Sequence, residues 1–496
     1  MATQHPDNAN PPYWETDGDG FVSVFEELEE AFSCYRDLGV NEFMWDWEGK
    51  HADASVIDKL FTLHHEYFKE NVIGKDIFLT FRIPNIWCEK GYSLLRALSV
   101  VLTAEDFAND IGFYSPPLFE VILPMTESAE QMMHVKESFR KFAIFKSDVM
   151  NHDTAVNNHD LEIIPLVESV ENQINIKKIL DNYIELHQKN FNKKPDYIRP
   201  FLAGSDPALV SGLIPKILAN KIAISEIYKC SEEHNIPMYP MIGVGSLTFR
   251  GGLNPDRIDQ FINEYSGIRT VTIQSAFRYD YPLENVKQAI KELQEKLPNS
   301  KPRMVEENDK PILNSIIKKF EESYQSTIEK ILGDLQSIFK AIPKRRERQL
   351  HIGLLGYGRK MGTNIMPRAI SFTSALYSIG IPPELIGTGQ ALAKLTPNEY
   401  KILRKYYINF AEDLEDIGRY INKENLTRLI KKNEAWKLIE QDIEQIEKTL
   451  EKTLYPKTNE DIIYKNYTSN VLLTDKDKKQ RTHIIVETAK IRKSLG

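Results

Sequence analysis

Short apolar runs recur along the chain, each bounded by turn-forming residues and rich in β-branched or aromatic side chains. Several of these runs lack the apolar–polar alternation of a half-exposed strand, as expected where helices cover both faces of a parallel sheet. Segments with helical periodicity lie between most of them. Repeated alternation of strand and helix predicts an α/β fold, a (β/α)8 TIM-type barrel. The runs that predict its eight strands are 42–48, 76–84, 119–125, 162–169, 197–206, 238–245, 269–276 and 350–358.

Two long, charged segments with helical periodicity exceed what a minimal barrel needs. They span 283–347 and 397–455, and we interpret them as large helical elaborations packed on the barrel and as a candidate oligomer contact. A coiled coil is the less favoured interpretation, because no heptad pattern is sustained. The pattern therefore predicts a single domain over 1–496, with its barrel strands within about 42–358.

Composition narrows the class of protein further. The chain is 42% hydrophobic, enough for a large core, and its net charge of −8 argues against nucleic acid or a membrane surface as a partner. No run of 18 apolar residues is present, so no membrane span is expected. Three cysteines without metal-like spacing favour reduced thiols and a cytoplasmic location.

Carboxylates follow two neighbouring strands of the predicted barrel. In such barrels the active site lies at the carboxyl ends of the strands, where Glu168 and Asp206 are expected to converge. Two carboxylates with open positions suit Mg²⁺ or Mn²⁺, which prefer oxygen ligands. The alternative is that each residue caps the helix that follows it, and for either residue alone capping is the favoured interpretation.

Four arginines lie at or after predicted strand ends. An arginine fork binds phosphate or carboxylate in bidentate fashion, so this cluster predicts an anionic substrate. The Gly251-Gly252 pair is expected to let backbone N–H groups approach the same anion. For a single arginine an ion pair with a surface acid is the common alternative. The four are Arg82, Arg250, Arg359 and Arg368.

One histidine occupies an unusual place, five residues from the start of the sequence in Thr-Gln-His-Pro-Asp-Asn. A side chain with a pKa near neutrality is the usual proton carrier, and the strand ends offer no convincing histidine besides His51, which could lie near the mouth. We therefore expect Pro6, Asp7 and Asn8 to fix the segment and His5 to lie over the barrel mouth. Deleting the first eight residues is then expected to cost catalysis far more than stability.

Taken together, these strings resemble the archaeal-type phosphoenolpyruvate carboxylases. The resemblance extends over essentially the whole chain. The strings that carry it are TQHPDN, FMWDWEGK, FLTFRIPN, FLAGSDPALVSG, GVGSLTFRGG, TVTIQSAFRYDYP, GRKMG and PRAISFTSALYSIGIPPELIGTG.

The resemblance implies a carboxy-lyase that forms oxaloacetate and phosphate from phosphoenolpyruvate and bicarbonate, an anaplerotic fixation of CO₂. Bicarbonate would attack the phosphoryl group, and the resulting carboxyphosphate would release CO₂ to the enolate of pyruvate. The resemblance also implies Mg²⁺ as the cofactor, with Mn²⁺ as an alternative, and a homotetramer as the assembly.

Carried over residue by residue, the resemblance makes His5 and Arg250 catalytic residues and Glu168 and Asp206 the metal ligands. It makes Arg82, Arg359 and Arg368 substrate-binding residues, to which we add Gly251 and Gly252. The sequence also departs from the long enzymes of the family, since Thr248 or Phe249 stands where they have a histidine. In addition, their second glycine-rich arm is shortened to Leu253-Asn254-Pro255, and Lys493-Ser494-Leu495-Gly496 replaces their C-terminal motif. Inhibition by aspartate or malate is therefore not carried over.

Two other interpretations remain open from the residues alone. Another metal-dependent barrel acting on pyruvate enolates, such as a citrate-lyase-like aldolase or a phosphoenolpyruvate mutase, would not require His5 or so many arginines. An inactive barrel serving as a scaffold is expected to have lost the charges at its strand ends, which this sequence keeps.

Overall fold

The computed structural model describes residues 1–15, 18–48, 50, 52–88, 92–150, 160–347, 360–361 and 364–496. Its strands are β1 Ala2–Thr3, β2 Glu42–Asp46, β3 Phe78–Arg82, β4 Glu120–Leu123, β5 Glu162–Val167, β6 Phe201–Ala203, β7 Met241–Gly243, β8 Thr270–Val271, β9 Lys360–Met361 and β10 Asn364–Ile365. The helices of the first 300 residues are α1 Glu27–Arg36, α2 Val56–Leu63, α3 His65–Glu70, α4 Tyr92–Asp110, α5 Ala129–Met150, α6 Val170–Ile174, α7 Ile176–Phe191, α8 Ser205–Ser211, α9 Leu213–His234, α10 Ile258–Glu264, α11 Ser275–Tyr279 and α12 Leu283–Lys296. Those that follow are α13 Lys310–Ile331, α14 Gln336–Phe339, α15 Ala369–Ser378, α16 Thr388–Leu392, α17 Pro397–Tyr406, α18 Phe410–Ile417, α19 Lys423–Lys432, α20 Lys437–Leu450, α21 Asn459–Leu473 and α22 Lys478–Ile491. No helix among the described residues is both long and apolar enough to cross a membrane.

Eight parallel strands form one sheet in the order β1 to β8, and each strand is followed by at least one helix. The two ends of the sheet meet, because a parallel bridge joins Ala2 to Ile273. Two main-chain hydrogen bonds close this seam: Thr3 N–H donates to the Ile273 carbonyl at 3.1 Å, and Ile273 N–H donates to the Met1 carbonyl at 2.9 Å. The predicted (β/α)8 barrel with helical elaborations is confirmed.

One of the eight barrel strands lies in a part of the chain where the sequence predicted none. Seven of the predicted runs contain β2 to β8, whereas the remaining strand of the barrel is β1, which lies before the predicted range. A two-residue strand is too short to show any periodicity, so the apolar pattern could not reveal it. The strand predicted at 350–358 lies outside the described residues.

Two main cores stabilise the molecule, one around the barrel and one among the later helices. The apolar face of α12, which includes Val286, Ile290 and Leu293, packs in the barrel core. The helix therefore belongs to the barrel layer, and the helical elaboration begins at α13 rather than at residue 283. The core of the elaboration also includes residues of α8 and of the start of α9, so the elaboration packs directly against the elements that follow β6.

Buried polar contacts hold β1 in place along its length. The Arg278 guanidinium donates to the Thr3 carbonyl at 2.7 Å and to Glu30 at 2.9 Å. The side-chain oxygen of Gln4 accepts from the main-chain N–H of Asp46 and from the Lys50 ammonium, both at 2.9 Å. Residues 1–4 are thus built into the barrel wall, and this brings His5 to the carboxyl ends of the strands.

Deleting residues 1–8 is therefore expected to destabilise the whole protein, in contrast to the sequence-based expectation. The deletion removes a barrel strand, leaves the N–H and carbonyl groups of Ile273 without partners in the interior, and removes one of the acceptors of the Arg278 guanidinium, the Thr3 carbonyl. Thermal unfolding followed by circular dichroism should show a midpoint several degrees lower, or no folded protein. The full-length chain carrying His5→Asn should unfold like the wild type, and an unchanged midpoint for the deletion would contradict the role of β1.

Candidate active site

A cavity of about 150 Å³ opens at the carboxyl ends of the barrel strands. Seven of the eight barrel strands, or the segments that follow them, contribute residues to its lining; among the lining residues only β4 is not represented. Six of the residues selected from sequence line this cavity: His5, Arg82, Glu168, Asp206, Arg250 and Arg368. Arg359 and His51 lie outside the described residues.

The two candidate metal ligands end neighbouring strands. Glu168 directly follows β5 and Asp206 lies in the first turn of α8, after β6. The capping alternative for Glu168 is excluded, because Ser169 is the residue whose side chain caps α6, accepting from Asn172 N–H at 3.1 Å. No side chain caps α8, whose N-cap residue is Gly204. The two carboxylates therefore contribute oxygen donors to one cavity, a donor set that suits a hard divalent cation.

Arg82, the last residue of β3, is held by two carboxylates that follow β2. Its Nε and Nη2 donate to Asp46 at 2.9 and 2.7 Å, and its Nη1 lies 3.0 Å from Glu48. Burial alone would lower the pKa of Arg82, but Asp46 and Glu48 outweigh it and raise the pKa above its usual value. The guanidinium thus stays charged and fixed at the cavity wall.

Arg250 ends the short 3₁₀ turn Thr248–Arg250 after β7, and its side chain is almost fully buried. Its Nη1 donates to Asp7 at 2.9 Å and to the main-chain oxygen of Gly496 at 2.5 Å, and its Nη2 donates to Gln274. Its Nε lies 3.1 Å from the Ser205 hydroxyl. Burial lowers the pKa of Arg250 from its usual value, and Asp7 opposes that effect.

His5 lies two residues after β1, so the strand brings the imidazole to the cavity. The His5 carbonyl accepts from the N–H groups of Asp7 at 3.1 Å and Ser275 at 3.2 Å, which fixes the backbone around it. The Thr3 hydroxyl lies 3.0 Å from Nδ1 and orients the ring. Among the described residues, His5 is the only histidine that lines this cavity.

Arg368 is the N-cap residue of α15, and the first residues of that helix, Ala369 and Ile370, also line the cavity. Helix N-termini carry partial positive charge and exposed N–H groups. Arg368 and the start of α15 therefore make this side of the cavity favourable for an anion.

The structure separates Gly251 and Gly252 from the cavity, in disagreement with their predicted role as substrate-binding residues. Their N–H groups donate to the carbonyls of Thr248 and Leu247, both at 3.0 Å. Gly251 has φ +128°, and a Cβ there would approach the Val244 side chain to 2.3 Å. Glycine is required here because the turn packs closely on the end of β7. The two residues line a separate small cavity beside Arg257 and Asp413.

Sequence reasoning missed three polar partners of these arginines. Asp7 was expected only as an anchor, yet its Oδ2 pairs with Arg250 and its Oδ1 accepts from Ala276 N–H at 2.7 Å. Glu48 and Gln274 line the cavity and contact Arg82 and Arg250, respectively. Both end predicted strands, so their position was a usable signal. By contrast, the side chain of Asn8 contacts only the nearby Asn10 carbonyl among the contacts described.

The charged residues that line the cavity include equal numbers of arginines and carboxylates. Three arginines line it, as do the three carboxylates of Glu48, Glu168 and Asp206, so their formal charges cancel. A divalent cation held by Glu168 and Asp206 would leave a net charge of about +2. That balance favours a metal bound together with an anionic ligand.

A second candidate ligand group lies elsewhere among the described residues. Asp181 of α7 and Cys230 and His234 of α9 approach within 4.8 Å of one another. They contact one another, since Asp181 lies 2.9 Å from His234 and accepts from Cys230 at 3.3 Å, and Asp181 also accepts from the Lys177 ammonium at 2.8 Å. None of the three lines the central cavity.

Comparison with known proteins identifies closely similar sequences. The family model described as "Phosphoenolpyruvate carboxylase" matches residues 1–496. A phosphoenolpyruvate carboxylase of Leuconostoc mesenteroides is 45% identical over 93% of this chain and 91% of its own length. Proteins of the same name from Oenococcus oeni and Metallosphaera sedula are 42% and 37% identical over the whole of this chain, covering 98% and 99% of their own lengths.

Replacing Asp7 with alanine is expected to destabilise the protein by about 3–5 kcal/mol, because the buried Arg250 charge loses its ion-pair partner. The measurement is the free energy of unfolding from urea titration. The matched control is Glu424→Ala, which breaks an exposed pair with Lys465 and should change stability little. Equal effects of the two substitutions would contradict the importance of the Asp7–Arg250 pair.

Proposed function

The chain belongs to the archaeal-type phosphoenolpyruvate carboxylase family, and we propose that its central cavity is the place where phosphoenolpyruvate and bicarbonate become oxaloacetate and phosphate. The observation that carries the proposal is the convergence of His5, three arginines and two carboxylates on one cavity. Each chemical need of the carboxylation can be assigned to one of these groups. Arg359 is a further substrate-binding candidate on the resemblance alone.

Arg368 and the start of α15 are proposed to bind the phosphoryl group. An arginine fork together with the helix N-terminus supplies donors to several phosphate oxygens and offsets the charge of the transferring group. Arg250 and Arg82 are held by carboxylates on their far sides, so they meet the substrate as fixed positive charges rather than as flexible ones. Fixed charge needs no reorganisation during the reaction, which is the source of its catalytic value.

Glu168 and Asp206 are proposed to hold the divalent cation that the family implies. Mg²⁺ is the proposed ion and Mn²⁺ the alternative, because both favour carboxylate oxygens and keep positions for water or substrate. When bound, the cation supplies positive charge next to oxygen atoms that become negative during carboxylation.

His5 is proposed to accept the proton of carboxyphosphate as CO₂ is released. The hydroxyl of Thr3 and the fixed backbone around His5 hold the ring in one orientation, which a proton acceptor requires. Apolar side chains such as Met44, Leu166 and Phe201 also line the cavity. They are proposed to limit water near the enolate, which would otherwise be protonated to pyruvate.

Assembly and location belong to the same proposal. A homotetramer in the cytoplasm is the state we expect, on the family resemblance and on the three sparse cysteines of the sequence, whose spacing fits no disulfide framework.

The direct test incubates the protein with phosphoenolpyruvate, Mg²⁺ and bicarbonate and couples oxaloacetate to NADH oxidation through malate dehydrogenase. Replacing His5 with asparagine should lower kcat by about 10²–10⁴-fold, since general acid–base catalysis contributes that much. His483→Asn, at an exposed site on α22, is the matched control and should keep full activity. Absence of a bicarbonate-dependent signal in the wild type would refute the assignment, and full activity of His5→Asn would remove His5 from the mechanism.

Replacing Glu168 with glutamine should raise the Mg²⁺ concentration for half-maximal activity by at least about tenfold, because one anionic oxygen donor becomes neutral. Titration of Mn²⁺ binding by electron paramagnetic resonance gives an independent readout without substrate. Glu171→Gln, three residues further on at an exposed position of α6, is the control. Unchanged metal affinity in Glu168→Gln would exclude that residue as a ligand.

A further inference from the structure

Two segments far apart in sequence carry arginines to the same cavity. Arg250 ends the turn Thr248–Arg250, and Arg368 precedes α15. Both segments contact one side chain that does not line the cavity, Glu384 of the short turn Pro383–Leu385. Glu384 is only 1% exposed.

A single carboxylate oxygen of Glu384 makes both contacts. Its Oε1 accepts from the main-chain N–H of Phe249 at 2.8 Å and from the hydroxyl of Tyr377 at 2.6 Å. Phe249 precedes Arg250 in the turn, and Tyr377 lies in the last turn of α15. One oxygen atom therefore sets the distance between the two arginine-bearing segments.

The turn depends on this contact for its backbone. The N–H groups at the start of a helical turn have no partner within the turn. Within this turn Arg250 N–H donates to the Leu247 carbonyl, whereas Phe249 N–H donates to Glu384. Phe249 is fully buried, so loss of the carboxylate would leave its N–H unsatisfied and would favour displacement of the turn.

Apolar packing also joins the turn Thr248–Arg250 to α15, next to the hydrogen bonds of Glu384. The ring of Phe249 lies 5.9 Å, centroid to centroid, from the ring of Phe372 on α15. The ring contact alone would allow the turn to shift along the helix, whereas two directional hydrogen bonds to one oxygen would not. The carboxylate therefore supplies the precision that apolar contact lacks.

Burying a carboxylate here is costly. Burial raises the pKa of Glu384 to about 7, while the bonds from Tyr377 and Phe249 oppose the shift. Its second oxygen, Oε2, has no hydrogen-bond partner among the described residues. An apolar side chain at this position would avoid that cost but would leave the Phe249 N–H and the Tyr377 hydroxyl without this acceptor, so the carboxylate serves the two segments it joins rather than the core alone.

From these contacts we propose that Glu384 is a positioning residue that fixes Arg250 and Arg368 at the spacing needed to bind one substrate anion between them. The inference rests on the proposed function, since it places substrate between those two arginines. It assigns no contact with substrate to Glu384 itself.

The test compares Glu384→Ala with Asp442→Ala. Asp442 is a matched control: it is also fully buried, its pKa is also raised to about 7 by burial, and it accepts from two main-chain N–H groups, of Gly387 and Gln390, at 2.8 Å. Neither of those groups belongs to an arginine-bearing segment. At a temperature where both variants are folded, Glu384→Ala should lose about 100-fold in kcat/KM for phosphoenolpyruvate, because small misplacements of binding groups cost that much. Asp442→Ala should keep kcat/KM within about threefold of the wild type, as expected of a site without substrate contacts.

Rescue and product ratio separate positioning from stability. Glu384→Gln keeps a carbonyl oxygen that can accept both bonds and should recover kcat/KM to within about fivefold of the wild type. Tyr377→Phe keeps the ring but removes the bond from α15, and it should lower kcat/KM by about tenfold and raise the fraction of pyruvate among the products.

Three results would overturn the inference: full activity of folded Glu384→Ala, an equal loss in Asp442→Ala, or unchanged kinetics and product ratio in Tyr377→Phe. The last variant decides the matter if Glu384→Ala does not fold. Failure of the wild type to make oxaloacetate would instead refute the proposed function, so the two failures are distinguishable.

Discussion

The buried ion pair between Asp7 and Arg250 is the contact on which the cavity depends. Asp7 follows β1 and Arg250 follows β7, so the pair spans the seam at which β1 meets the β8 side of the barrel. Buried pairs of this kind contribute little net stability, because desolvation offsets the attraction, but they strongly disfavour arrangements in which either charge lacks its partner. Here the arrangement that pairs the two charges also holds the segment that brings His5 to the cavity.

Other contacts extend this constraint outward. The main chain of Asp7 accepts from the Leu495 N–H at 2.6 Å, and the main-chain oxygen of Gly496 accepts from Arg250. From the opposite side, Glu384 holds the turn that carries Arg250 and links it to α15. The helical elaboration therefore does more than cover the barrel. It supplies part of the cavity wall and holds the arginine turn from behind, which explains why so much chain follows the last barrel strand.

Sequence reasoning could predict the features whose physical cause lies in residues close together in the chain. Runs such as 76–84 and 162–169 show apolar character over enough residues to mark a strand, and β3 and β5 lie within them. Glu168 and Asp206 were found because the carboxyl ends of parallel strands share one face of the barrel. β1 was missed because two residues have no period, and Gly251 was misread because its need for glycine comes from Val244, a contact seen only in three dimensions. The role of Asp7 beyond anchoring likewise required knowing that residues 7 and 250 meet.

The seam between β1 and Ile273 also determines when the complete cavity can form during synthesis and folding. Residues 2–3 are made roughly 270 residues before their partner, which at ribosomal rates is a delay on the order of tens of seconds. Until then the barrel has an open edge, and closing it joins two segments at very large sequence separation, a slow kind of step. His5 lies two residues after that strand, which also pairs with β2, so closing the seam brings the histidine together with Gln274 and Arg250 from the β7 and β8 side. A chain whose seam is open thus has the two sides of the mouth but not the cavity between them.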